Sequence, residues 1–150
     1  MKVRVNQGFT IIELMMTVFI MGVLVVIAAP SFTSFLSGNA LNADVRAFVG
    51  GISTAKAEAI SRAQNVTFRP RGGADWRNGW EVVDSANAVI QQGKDLDNSY
   101  VFTMENGSSN FVFNSRGFMT PTAGDKLTVK DGNGNSIELT VTGTGVVVVK

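Results

Sequence analysis

Residues 7–30 read QGFTIIELMMTVFIMGVLVVIAAP, and a single acid, Glu13, stands near the start of an otherwise apolar run. Placing an unpaired charge in lipid costs on the order of several kcal/mol, so its presence needs a reason. The 21 residues 9–29 would span about 31 Å as a helix, the thickness of a bilayer core. Upstream, MKVRVNQG carries Lys2 and Arg4 and no acid, a polarity that orients the N-terminus toward the cytoplasm. A secretory signal peptide would need a small-residue cleavage site after the run, and VIAAPSF is a poor one because Pro30 follows the alanines directly. A plain anchor explains the length but not Glu13.

Beyond Pro30 the pattern changes. Pro30 removes a helix donor, so a kink or unwinding is expected at residues 26–30. Leu41, Val45, Phe48, Val49, Ile52, Ala55, Ala59 and Ala63 then recur at spacings of three and four, one face of an amphipathic helix. Asp44, Arg46, Lys56, Glu58 and Arg62 are expected opposite it, and Gly50 and Gly51 each weaken the helix by about 1 kcal/mol relative to alanine. After Ala63 the period shortens to two. Strands are expected at 66–69, 80–83, 88–91, 100–104, 110–114, 126–130, 136–141 and 146–149, separated by turn sequences such as DSAN, ENGSS and DGNGN. The fold class is therefore α+β: a long N-terminal helix, transmembrane in its first half and amphipathic in its second, packed on antiparallel β-sheets. The final VVVV is expected as a core strand, its alternative being an edge that recruits a neighbour.

Composition excludes much chemistry. Cysteine and histidine are both absent, which removes disulfides, thiol nucleophiles, histidine-based triads and histidine or thiolate metal sites. The net charge of +1 announces no nucleic-acid partner. Serines and acids are scattered without a base, and no cofactor is called for.

QGFTIIELM resembles the class III signal of type IV pilins and type II secretion pseudopilins: basic leader, glycine, phenylalanine, threonine, two apolar residues, glutamate, then an unbroken apolar stretch. The resemblance implies a leader of residues 1–8, cut by prepilin peptidase between Gly8 and Phe9, and N-methylation of Phe9. Glu13 falls fifth in the mature chain, at the family's acid position. In a helical fibre the α-amine of a Phe9, in its own chain or a neighbour, would pair with Glu13 and set axial register. Residues 9–35 would be the transmembrane and assembly helix and 36–150 a periplasmic head. NGWEVVDS (residues 78–85) and FVFNSRGFMTP (residues 111–121) resemble the Gly-Trp strand and Phe-x-x-x-Gly segment of the GspH/FimT group of minor pilins and pseudopilins. Partners implied are other minor and major pilins or pseudopilins, the peptidase and the inner membrane. The implied role is a minor subunit of a tip complex that primes pilus assembly for twitching, adhesion or DNA uptake, the alternatives being an H-type pseudopilin of type II secretion and a DNA-binding minor pilin for natural transformation.

Arg69, Arg71 and Arg77, with Arg62 before them and Trp76 and Trp80 beside them, form a basic and aromatic cluster of the kind that contacts DNA. Solvated loop charges are the plainer account. DNA-binding minor pilins of this group carry a C-terminal Gly-Arg-x-Arg pattern, where this chain has Val146 and Val148. DGNGNS (residues 131–136) begins like a calcium loop, but Ser136 replaces the glycine and Thr142 the final glutamate, so it reads as a hairpin turn.

Overall fold

The computed structural model describes residues 9–73, 75–107, 109–121 and 123–150. The chain forms two compact units that divide between Leu36 and Ser37, and one helix, α1 (Ile11–Arg62), belongs to both. In the first unit every described residue through Leu36 is exposed, large apolar side chains included. Such a surface suits a surrounding of lipid or of other helices. The helix continues through Pro30 without the unwinding expected at residues 26–30. Proline deletes one ladder bond, and the flanking i→i−4 bonds keep the backbone helical.

In the second unit α1 buries Leu41, Asp44, Val45, Phe48, Gly51, Ile52, Ala55 and Ala59, the spacing of a single helical face. Asp44 corrects the sequence expectation that put it on the solvent side: its carboxylate accepts from the Tyr100 hydroxyl at 3.0 Å and pairs with Lys94 at 2.8 Å. Partners more than forty residues away make an acid tolerable on the buried face. Lys56 is also structural, donating to the carbonyls of Thr144 and Gly145. The helix ends in a Schellman arrangement. Ala63 N–H donates to Ile60 and Gln64 N–H to Ala59, with Ala63 in the left-handed region at φ 52°. That conformation normally calls for glycine, so Ala63 terminates the stripe rather than extending it.

Nine strands follow: β1 (Val66–Pro70), β2 (Trp80–Val83), β3 (Val89–Gln92), β4 (Val101–Met104), β5 (Phe111–Phe113), β6 (Met119–Thr120), β7 (Asp125–Lys130), β8 (Ser136–Val141) and β9 (Val147–Val149). A strand stands at each of the eight expected places. The two-residue β6 and the 3-10 turns Arg71–Gly73 and Trp76–Asn78 are too short to have carried a periodic signal. All pairings are antiparallel, in two sheets ordered β3-β2-β1-β5-β6 and β4-β7-β8-β9. Phe48 of α1 joins both sheets, its ring 5.6 Å from Phe68 of β1 and 6.0 Å from Phe102 of β4. Complete burial of such a ring contributes roughly 2–3 kcal/mol.

The glycines of both head motifs are required by geometry. Gly79, at φ 84°, would place a Cβ 2.4 Å from the Lys94 carbonyl oxygen. Gly117, at φ 77°, would place one 2.7 Å from Ile60 Cδ1. A side chain at either position would meet both an unfavourable backbone conformation and a close neighbour, which glycine avoids. The β7–β8 hairpin closes through Asp131, whose carboxylate accepts from the backbone N–H of Asn133 and Asn135 and from the Asn135 side chain at 3.0, 2.8 and 2.6 Å. β9 corrects the expectation of a core strand. It is a sheet edge, with Val148 and Val149 exposed at 42% and 48%; four valines favour a strand but do not choose its place in the sheet.

Candidate functional site

The first site is the start of α1. Thr10 lies just before the first helical residue, and Glu13 is third within the helix. The Glu13 carboxylate accepts from Thr10 N–H at 2.9 Å and from Thr10 Oγ1 at 3.0 Å, and Glu13 N–H donates back to Thr10 Oγ1 at 3.3 Å. This is a capping box, which satisfies two of the orphan donors of the first turn. An acid there also meets the positive end of the helix dipole. Glu13 therefore has partners within its own chain, and the signal for this is local: Thr-x-x-Glu ahead of an apolar run. An open groove of about 470 Å³ lined by Phe9, Ile12, Glu13, Met16 and Thr17 surrounds the carboxylate. The site is thus an exposed apolar patch with one acid held in place on it. Phe9 is 83% exposed; Gly8, its expected partner in cleavage, lies outside the described residues.

The arginines form no open cationic patch. Arg69 Nε donates to Glu81 at 2.8 Å and Arg69 Nη1 to Asn87 at 2.9 Å. Arg71 pairs with Asp95 and donates to the Gly93 carbonyl. Arg77 is held by Asp75 through two bonds of 2.8 and 2.6 Å. That guanidinium keeps the Asp75 carboxyl below the usual carboxylate range. Glu81 and Asp95 reach these arginines from other strands and loops, which is why the basic stretch reads as unpaired in the sequence. Trp76 and Trp80 are buried, at 6% and 4% exposure, so neither presents a face for stacking on a base. Arg62 is likewise paired, with Glu58 at 2.6 Å. Among the described residues no group of three or more acids is placed to hold a metal ion.

The head, two antiparallel sheets closed by the second half of a long helix, matches a known family model. The description Type II transport protein GspH covers residues 44–145. The chain belongs to the GspH family. Residues 3–29 separately match the prokaryotic N-terminal methylation motif. A curated relative from Thermus thermophilus, the type IV narrow pilus major component PilA5, is 33% identical over 88 residues, covering 55% of this chain and 76% of that protein. Among solved structures, the type IV minor pilin FimU of Pseudomonas aeruginosa PAO1 aligns with a TM-score of 0.65 at 15% identity, covering 77% of this chain and 92% of that one. The minor pseudopilin EpsH of the Vibrio cholerae type 2 secretion system gives 0.52 at 13%, covering 70% and 91%. The GspH family is one of structural pilin and pseudopilin subunits, and the α+β, pilin-like fold read from the sequence is the fold of these neighbours.

Proposed function

We propose that the chain is a minor subunit of a type IV pilus, not an enzyme. In this reading it is anchored in the inner membrane with its head in the periplasm, cut after Gly8, methylated on Phe9, and recruited with other minor and major pilins into a complex that primes the fibre. The observation that carries the proposal is the acid of the first helical turn, fixed by Thr10 on the apolar first part of α1, which is exposed throughout as far as Leu36. The stretch of α1 through Leu36 buries nothing within its own chain and is suited to be covered by something else. Glu13 then pairs with the α-amine of a processed Phe9, and a slip by one turn would leave both charges without counter-ions.

The family model favours a second reading, a minor pseudopilin of a type II secretion system. Deletion of the gene separates the two: loss of twitching supports the pilus, loss of exoprotein secretion the pseudopilus, and retention of both overturns both readings. Intact mass measurement tests the processing step. Gly8 replaced by a bulky residue is expected to leave a precursor about 1 kDa heavier, since the leader of eight residues stays attached. Glu13→Val is expected to be cleaved normally yet to be incorporated poorly. Normal assembly of both variants would refute the account of this segment.

A further inference from the structure

Four strands bound the two sheets, and they differ in how their free edges are protected. β6 is two residues long and is followed by Pro121. β3 carries Gln91 and Gln92 and pairs with β2 through a register shift at Val82/Val83. Beside β4 stands the 3-10 turn Trp76–Asn78, with Trp76 6.4 Å from Phe102 and the two segments lining one groove. β9 has no proline, charge, polar side chain or register shift within it. Short edges, bulges, covering loops and charges are the means by which sheets discourage pairing with other chains, and β9 uses only shortness.

The ladder fixes what β9 offers. Glu138 and Lys150 exchange both backbone bonds, at 3.0 and 2.9 Å, and Val147 and Val149 stand opposite Val141 and Leu139. Antiparallel pairs alternate between bonded and non-bonded, so Val147 and Val149 fall in the non-bonded class. Their N–H and C=O groups therefore point away from β8, off the sheet. Alongside runs a groove of about 350 Å³ lined by Asn42, Val45, Arg46 and Val49 of α1 and by Val149. Among the described residues Arg46 forms no ion pair, whereas each of the cluster arginines does.

We propose that the free edge of β9 and its groove bind an extended segment of a different polypeptide, one that adds a strand beside Val147 and Val149, rests aliphatic side chains on Val49 and Val149, and directs a carboxylate to Arg46. Charge complementarity selects this occupant over a second copy. None of the edge strands β3, β4, β6 and β9 contains an acid, so edge-to-edge pairing of two copies leaves Arg46 without its counter-ion. Main-chain bonds supply the strand addition, and alternate side chains the selectivity.

The test uses the full chain in detergent micelles, with backbone amide exchange followed by NMR. The probes are the capped peptide Val-Glu-Val-Glu-Val-Thr and its counterpart with lysine at both glutamates. The acidic peptide is expected to slow exchange at Val147 and Val149, and the lysine peptide to bind about tenfold more weakly, as loss of an exposed charge contact plus like-charge repulsion implies. Val147→Pro deletes an outward donor and leaves the bonds to β8 in place, so it should abolish binding without lowering the melting temperature. Arg46→Gln, on an exposed helix position, should erase the preference for the acidic peptide and keep the fold. Absence of protection at both amides, equal binding of the two peptides, or self-association that Val147→Pro dissolves would each overturn the proposal.

Discussion

Gly50 and Gly51 are adjacent in α1, and the structure assigns them opposite responses to the same substitution. A Cβ at Gly50 would meet no atom within 4 Å. Gly50→Ala should therefore stabilise the second unit by about 1 kcal/mol, the difference in helix propensity. A Cβ at Gly51 would stand 2.6 Å from Phe68 Cε2 and 2.8 and 2.9 Å from Trp80 Cζ3 and Cη2. Both rings are core groups, Phe68 fully enclosed and Trp80 4% exposed. Trp80 has no room to retreat, because a Cβ at Gly93 would stand 2.4 Å from its Nε1. Overpacking of this kind costs about 1–3 kcal/mol, which outweighs the propensity gain over most of that range and leaves Gly51→Ala destabilised by up to about 2 kcal/mol. The two variants should then differ by about 1–3 kcal/mol, or roughly 4–12 °C in melting temperature for a domain of this size. Thermal unfolding of the full chain in detergent micelles, followed by tryptophan fluorescence, reads the difference directly, since both tryptophans are buried in the second unit. A Gly51→Ala variant that melts at or above the parent, or shifts of both variants in the same direction, would refute the packing argument.

Three further outcomes are expected. Ala63→Gly should raise stability by about 1 kcal/mol in the same melt, because Ala63 holds a left-handed conformation at φ 52° that glycine adopts without strain. Tyr100, the chain's single tyrosine, has its phenol pushed well above its ordinary range, first by burial and then by the Asp44 carboxylate it donates to. The folded state thus keeps a proton that the unfolded chain releases at about pH 10, so stability is full below that pH and falls as the solution becomes more alkaline; tyrosinate absorbance should appear late and together with unfolding, and Tyr100→Phe should flatten the decline. Arg69→Ala should cost about 2 kcal/mol because it strips the partner from buried Glu81, whereas Arg77→Ala, at an exposed pair, should cost under about 1 kcal/mol; a gel shift at low salt abolished by Arg77→Ala would overturn the reading of these arginines as internally neutralised.

The features legible in the sequence were those set by local period. The apolar run, the helical stripe from Leu41 to Ala59 and the eight strand positions each follow from spacing within a few residues. The Thr-x-x-Glu cap is equally local, although reading Glu13 as a stranded membrane charge draws attention from Thr10 to the α-amine of Phe9. What the sequence concealed depended on distant segments. Asp44 looks like a surface acid until Tyr100 and Lys94 arrive. The arginines look free until Glu81 and Asp95 do. Four consecutive valines look like core, and only the order of strands in the sheet places them at its margin.

The hydroxyl and amide of Thr10 give the carboxylate two donors before any neighbour is present. A solitary chain therefore brings no bare ion into a nonpolar surrounding. On the reading proposed above, joining an assembly exchanges one set of donors for another, so the carboxylate is at no stage without a hydrogen-bond partner.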